Sequence, residues 1–393
     1  MLILPDVDLA QRERTLLERL EIGLADEGIR VAHGLPASLS PLRVGGLYST
    51  VVHYQDRWPG LIGSLRARAL VELLDEAIPR NHAERGEPLL EVVHCFGRGS
   101  WPLGRRVAEQ TGAALVLELA DGPSCAAAAA ALDGFVGICA VSVADAALST
   151  LVKLPKALAD GSGPRGQAQQ FVATWGVHAP ERTVSQLSPP GRLEVITLLA
   201  TGEADRNIFA ALKGLCDFLQ TLAEDQRPLI MVDAALADRC RVYRWLEQLG
   251  FAGRLCEVTD LEGQRDVIAE SDVLLLPDSI GQQRSSVLEA MAAGTIVVAA
   301  ADAHNSALVE GVTCTIVRGS NASDWAAALL SLLPDQAKRA ALSDSASLFI
   351  GTHRTASAHV QETVAIYRQV IKDKEQHTRA LVLATAAAAK GRE

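Results

Sequence analysis

The chain has 393 residues, 49% of them hydrophobic, enough apolar material for two substantial cores. A formal charge of −10 argues against a general nucleic-acid binder, since neutralising phosphates takes clustered Lys and Arg that so acidic a surface lacks on average. Seven cysteines, Cys95, Cys125, Cys139, Cys216, Cys240, Cys256 and Cys314, stand singly, with no Cys-x-x-Cys and no His at ligand spacing, so reduced thiols in a cytoplasm and no metal site are expected.

The chain opens on Leu2-Ile-Leu, which has no basic leader and reads as a first strand. No window approaches the ~18 uninterrupted apolar residues of a membrane span. A helix is expected from Arg12 to Ala25, stopped by Gly28, with a strand from Gly28 to Ala32. Leu89 to His94 reads as a strand that His94 ends, followed by a helix, Leu103 to Thr111, and strands at Ala114 to Leu119 and Gly137 to Ser142. Ala179 to Gly191 is a Pro-rich connector, and the boundary between domains 1–185 and 186–352 is placed there.

The alternation then restarts. Strands are expected at Leu193 to Leu199 and Leu229 to Asp233, with helices at Ile208 to Leu222 and Asp238 to Leu249. Ser271-Asp-Val-Leu-Leu-Leu-Pro277, a turn, a helix running to a Gly294 C-cap and the β-branched Thr295-Ile-Val-Val form a βαβ unit. A further strand, Thr313 to Val317, and helix, Ser323 to Leu333, follow. Val360, Val364, Tyr367 and Ile371 stripe one face of a last helix, assigned to 353–375 and expected to pack back toward the first domain, with 376–393 as a mobile tail. Ligands of open parallel sheets bind where strand C-termini meet helix N-termini, so a site is expected in the Pro277 to Ser286 turn. The fold class is α/β: two Rossmann-like, doubly wound domains facing across a cleft.

Val287-Leu-Glu289-Ala-Met-Ala-Ala-Gly294-Thr-Ile-Val-Val-Ala299 and Ala307-Leu-Val-Glu310-Gly311, following Ser271-Asp-Val-Leu-Leu-Leu-Pro277, resemble the donor domain of GT-B glycosyltransferases, specifically the retaining family 4. Glu91-Val-Val-His94-Cys-Phe96-Gly97, Leu119-Ala120-Asp121, Ala140-Val-Ser142 and Val172-Ala-Thr-Trp-Gly176-Val177 are more distantly similar to the acceptor domain of that family. The resemblance implies transfer of a sugar, with retention and without a metal, from a nucleotide-diphosphate sugar to a sugar, lipid or small-molecule acceptor. No cofactor besides the donor substrate is implied.

Departures fall on positions that carry chemistry in the family. The first of two glutamates spaced eight apart is Gly281, the phosphate-binding cation after the first donor-domain strand is Gly202, and the acceptor-side His is Ala120. The glycine pair after the first strand is Pro5-Asp6. These losses motivate a second reading, a catalytically inactive GT-B protein that binds or scaffolds.

The residues retained are assigned as follows. Charge grows on the leaving phosphate as a sugar–diphosphate bond breaks, so cations and backbone amides are needed there. Arg206 and Arg284, both in loops past strand ends, are candidates for gripping it, each with a solvated loop arginine as the alternative. Ser285, Ser286, Thr201 and Gly202 are placed around the donor phosphates, with plain N-capping as the alternative for the two serines and backbone geometry for Gly202. The resemblance gives Glu289 to the donor ribose; the alternative is a Ser286-Val-Leu-Glu289 capping box serving only the helix. His94 would touch acceptor or phosphate, or be structural. Asp121 would orient an acceptor hydroxyl or make an Asx turn. Glu310 is expected near the donor base or capping a helix. Arg57, Trp58, Arg66 and Arg68 offer at most a peripheral membrane contact, with a solvated helix face as the alternative.

Overall fold

The structure is a computed structural model and describes residues 1–39, 49–55, 63–78, 88–154, 168–179, 188–189, 191–200 and 206–390. Thr201, Gly202, Arg57 and Trp58 lie outside the described residues. The chain divides into two compact units. One holds residues 1–10, 17–174 and those from Ser357 onward; the other holds 11–16 and 175–356.

In the first unit β1 (Leu2–Pro5), α1 (Val7–Arg12) and α2 (Arg14–Asp26) are followed by β2 (Val31–Pro36), β3 (Ser49–Tyr54) and α3 (Gly63–Ala77). Then come β4 (Val92–Phe96), α4 (Trp101–Thr111), β5 (Ala114–Leu119), α5 (Gly122–Leu132), β6 (Cys139–Val143) and β7 (Ala168–Val172). All seven strands are parallel, in the order β3-β2-β1-β4-β5-β6-β7. β1, β2, β4, β5 and β6 are buried along their whole length, as continuous apolar runs covered on both faces should be, while the edge strand β7 alternates.

The second unit runs β8 (Val195–Leu198), α6 (Arg206–Gln220), β9 (Leu229–Asp233), α7 (Ala234–Cys240), α8 (Val242–Gln248), β10 (Leu255–Val258), α9 (Arg265–Ala269), β11 (Val273–Leu276), α10 (Ser285–Ala293), β12 (Ile296–Ala300), β13 (Cys314–Val317), α11 (Ala322–Leu332) and α12 (Gln336–His353). Its sheet is also parallel, in the order β10-β9-β8-β11-β12-β13. The expected C-cap is present: Gly294 sits at φ 98, in the left-handed region, and its amide closes on Ala290 and Met291 carbonyls.

Sheet order locates the candidate sites. From β1 the first sheet adds β2 and β3 on one side and β4 to β7 on the other; from β8 the second adds β9 and β10 on one side and β11 to β13 on the other. Such reversals leave a crevice beyond the strand C-termini, because the two crossover helices leave in opposite directions.

The last helix, α13 (Ala356–Lys390), extends well beyond the amphipathic stripe that the sequence picked out, because the alanine-rich stretch continues in helix. Val360, Val364, Tyr367 and Val370 on it are buried in the first unit. Among the described residues no helix is long and apolar enough to cross a membrane.

Candidate functional site

At the reversal in the second sheet two helix starts come together. α6 begins at Arg206 after β8, α10 begins at Ser285 after β11, and β8 pairs with β11. Asn207 Nδ2 donates to Ser279 Oγ at 3.4 Å, joining the start of α6 to the turn before α10. Each start presents N–H groups that no helical carbonyl can satisfy, and the helix dipole adds partial positive charge. Arg206 is exposed and makes no hydrogen bond or ion pair among the described residues. This is a surface guanidinium at a helix start, open to a ligand.

The start of α10 is different. Ser285 and Ser286 are buried, and the donors of Ser285 already have an anion. Its amide lies 3.3 Å from each carboxylate oxygen of Glu13, and its hydroxyl donates to Glu13 Oε2. Glu13 belongs to the 11–16 segment of this unit and is 1% exposed. Burial pushes its pKa above the usual carboxylate value, and the nearby Arg265 guanidinium partly opposes that.

Arg265, at the start of α9, ties the cluster together. Its Nη1 donates to Ser285 Oγ at 2.8 Å and lies 3.2 Å from Glu289, while its Nη2 donates to the Arg12 carbonyl at 2.7 Å and lies 3.6 Å from Glu13. Glu289 is therefore ion-paired within the protein. The cap residue of α10 is Arg284, which puts Glu289 five residues into the helix, too far along for the Ser286 to Glu289 capping box.

Arg284 is a buried side chain and not a solvated loop cation. Its Nη1 bonds Glu262, and its Nη2 reaches Asp278 at 3.1 Å and Gln282 Oε1 at 2.9 Å. Gly281, where the resemblance places a glutamate, sits at φ 73 and donates its amide to Asp302 Oδ2 at 2.7 Å. The cavity beside Arg284, lined by Asp278, Gln282, Asp302 and Leu308 among others, is about 30 Å³, room for about two waters. A nucleotide does not fit in it as it stands. Glu310 is exposed; it accepts from the Ile316 amide at 3.0 Å and lies 3.8 Å from Arg318.

The acceptor-side candidates lie in the first unit. His94 does not end its strand: β4 continues through Cys95 and Phe96, and His94 is 1% exposed. One ring nitrogen meets Tyr367 Oη at 2.7 Å and the other meets Glu118 Oε2 at 3.1 Å, so the imidazole links two strands to α13. His359, also buried on α13, has a pKa lowered to about 4 by burial. Asp121 caps α5, its carboxylate accepting from the Ser124 amide at 2.6 Å while the Ser124 hydroxyl accepts from the Asp121 amide at 3.1 Å, a complete capping box. At the reversal in the first sheet Asp6 accepts from the Leu9 amide at 2.9 Å and the Gly99 amide at 3.0 Å. Gly97, at φ 85, has no room for a Cβ, which would lie 2.2 Å from the Asp6 carboxylate. On α3, Arg68 pairs with Glu72 at 3.0 Å as a solvated helix face does.

The structure thus brings Ser285, Ser286 and Glu289 into one cluster with Arg284 alongside, and leaves His94 and Asp121 in separate places in the first unit. Glu13, Glu262 and Arg265 were not singled out from sequence. Arg12-Glu13-Arg14 and Gln264-Arg265-Asp266 look like ordinary charged helix starts, and their only signal is an acid and a base falling where an apolar sheet meets its helices. Among the described residues no group of His, Cys, Asp and Glu forms a metal site, and all seven cysteines are free, only Cys256 being exposed.

Residues 208–335 match the model of the family described as glycosyl transferases group 1. No curated protein matches the chain in sequence. Solved structures are similar over nearly the whole chain. Sucrose-phosphate synthase from Thermosynechococcus elongatus aligns at TM-score 0.67 and 15% identity, covering 94% of this chain and 99% of that one. HepE of Anabaena, in complex with UDP and glucose, aligns at TM-score 0.61 and 13% identity, covering 94% and 99%. The UDP-forming α,α-trehalose-phosphate synthase of Burkholderia vietnamiensis aligns at 0.60 and 13%, covering 95% and 99%. At these identities the likeness shows the fold, and the chain has the GT-B fold of glycosyltransferases.

Proposed function

We propose that this chain is a glycosyltransferase that moves a sugar from a nucleotide-diphosphate sugar to a sugar, lipid or small-molecule acceptor, with retention and without a metal or cofactor. One observation carries the reading: the stretch matching the group 1 family contains the α10 start with Ser285, Ser286 and Glu289, facing the α6 start with Arg206 across a sheet reversal. In the reaction the bond from the anomeric carbon to the phosphate oxygen breaks as the acceptor oxygen bonds that carbon on the same face. The acceptor proton passes to the departing phosphate, and a nucleoside diphosphate leaves. Amides at the two helix starts and Arg206 stabilise the growing phosphate charge, while Glu289 accepts hydrogen bonds from the ribose. HepE binds UDP and the trehalose-phosphate synthase is UDP-forming, which makes uridine diphosphate the first leaving group to try. A cytoplasmic site of action fits a donor of this kind.

The second reading, an inert binding or scaffolding GT-B protein, is favoured by the internal pairing of Glu289 with Arg265 and by Gly281 in place of an acid. Calorimetry to millimolar UDP-, GDP- and ADP-sugars, with Glu289→Ala alongside, tests the first. Binding that Glu289→Ala weakens by about tenfold or more supports it. No binding, with Glu289→Ala indistinguishable from wild type, ends it. Any sugar-nucleotide turnover by purified protein rules out the second.

A further inference from the structure

A carboxylate on a helix start engages the same donors as a phosphate: an amide, a hydroxyl and a guanidinium. Glu13 does this at α10, reaching a serine 272 residues away in sequence. The contact is not a local turn. It brings a buried acid onto the amide that the donor reading gives to phosphate, and it draws Arg265 into pairing with Glu13 and Glu289.

Arg265 also answers a deficit. The sequence has Gly202 where the family resemblance expects a phosphate cation, and Arg284, the nearest arginine in sequence to Ser285, is committed to Glu262 and Asp278. Arg265 Nη1 lies 2.8 Å from Ser285 Oγ, so a phosphate bound by the Ser285 amide and hydroxyl would lie within its reach. Glu13 stands between α1, which ends at Arg12, and α2, which begins at Arg14, so it belongs to the span of neither helix.

We propose that Arg265 is a second phosphate-binding cation of this site, beside Arg206, and that Glu13 is its resident competitor, occupying the α10 start until a diphosphate displaces it. The proposal rests on the donor reading above. It states that Arg265 exchanges one anion for another: in the empty protein it holds Glu13, and in the loaded protein it holds the donor.

The test is calorimetry with UDP as the probe, on wild type, Glu13→Ala, Glu13→Gln and Glu13→Ala with Arg265→Gln, each checked for folding by circular dichroism. Glu13→Ala is expected to tighten UDP by about tenfold or more, Glu13→Gln by less because its amide oxygen still accepts from Ser285, and the double variant to lose the gain. Hydrogen exchange on wild type needs no substitution. Saturating UDP should speed exchange in peptides spanning 11–16 and slow it across 284–290. If UDP binds wild type and neither Glu13 variant binds it more tightly, or exchange at 11–16 does not rise, the inference falls and the donor reading stands. If no form binds UDP, GDP or ADP at millimolar concentration, both fall.

Discussion

The two sheets reverse in the same way, and each reversal is closed by a carboxylate of the protein itself, yet the two carboxylates differ in kind. Asp6 is half-buried and serves the amides of Leu9 and Gly99 beside its own strand ends. Glu13 is almost fully buried, reaches across 272 residues, and holds an arginine as well as a serine. A partly hydrated acid joining the ends of adjacent strands costs little desolvation. A remote, buried one must be held by partners strong enough to offset the water it has lost. Asp6 therefore reads as structure, and Glu13 as an occupant of a site built for an anion.

The largest test of that contrast is Arg284→Ala. The side chain of Arg284 is 4% exposed and faces both Glu262 and Asp278, so removing it takes away the guanidinium the two acids share and leaves Glu262 only the longer pair with Arg12 at 3.8 Å. A loss of about 3–5 kcal/mol is expected, read as a drop in the urea midpoint. Asp6→Ala, at the other reversal, removes one amide contact of the N-cap type, from Leu9, and one from the more distant Gly99, and should cost about 0.5–2 kcal/mol. A cost for Asp6→Ala as large as that for Arg284→Ala would erase the distinction between the two reversals.

What was legible in the sequence divides between contacts made within a few residues and contacts made between distant segments. The βαβ unit around α10 could be read because its strand runs, its turn and its Gly294 stop lie within thirty or so consecutive residues, each signalled by composition or backbone need. The parallel direction of the strands follows from the alternation of strands and helices, which leaves parallel sheets as the way to bury continuous apolar runs. Asp121 was legible down to its alternatives, since an Asx-type cap depends only on Ser124.

His94 was less so. Its strand continues because Cys95 and Phe96 are apolar, and its partners Glu118 and Tyr367 come from other elements, the latter 273 residues on. A buried acid within an apolar strand, Glu118 in β5, was a signal that a polar partner must lie beneath the sheet. Glu13 and Arg265 left no such mark, because a charged residue at a helix start is ordinary on any surface. Pairing between distant segments is set by packing, which a periodic pattern does not encode.

The smallest effect expected is the most specific. Burial raises the pKa of Glu13 above its ordinary value of 4.5, so the folded chain favours the neutral acid more than the unfolded chain does. The stability gained from that preference is fully present below the unfolded pKa and is lost as pH rises through the raised folded value. Glutamine at this position is neutral throughout. Glu13→Gln should therefore match wild type at low pH, pull ahead as pH climbs through the raised value, and hold a constant lead above it, read from urea midpoints across a pH series. A lead that is flat from acid to neutral pH would show that Arg265 fully offsets the burial of the carboxylate. Glu13 would then be a permanent cap like Asp6. A lead that grows with pH has the opposite meaning: the ionised carboxylate is held at a cost, and a ligand bringing more charge to the Ser285 amide and Arg265 can take its place.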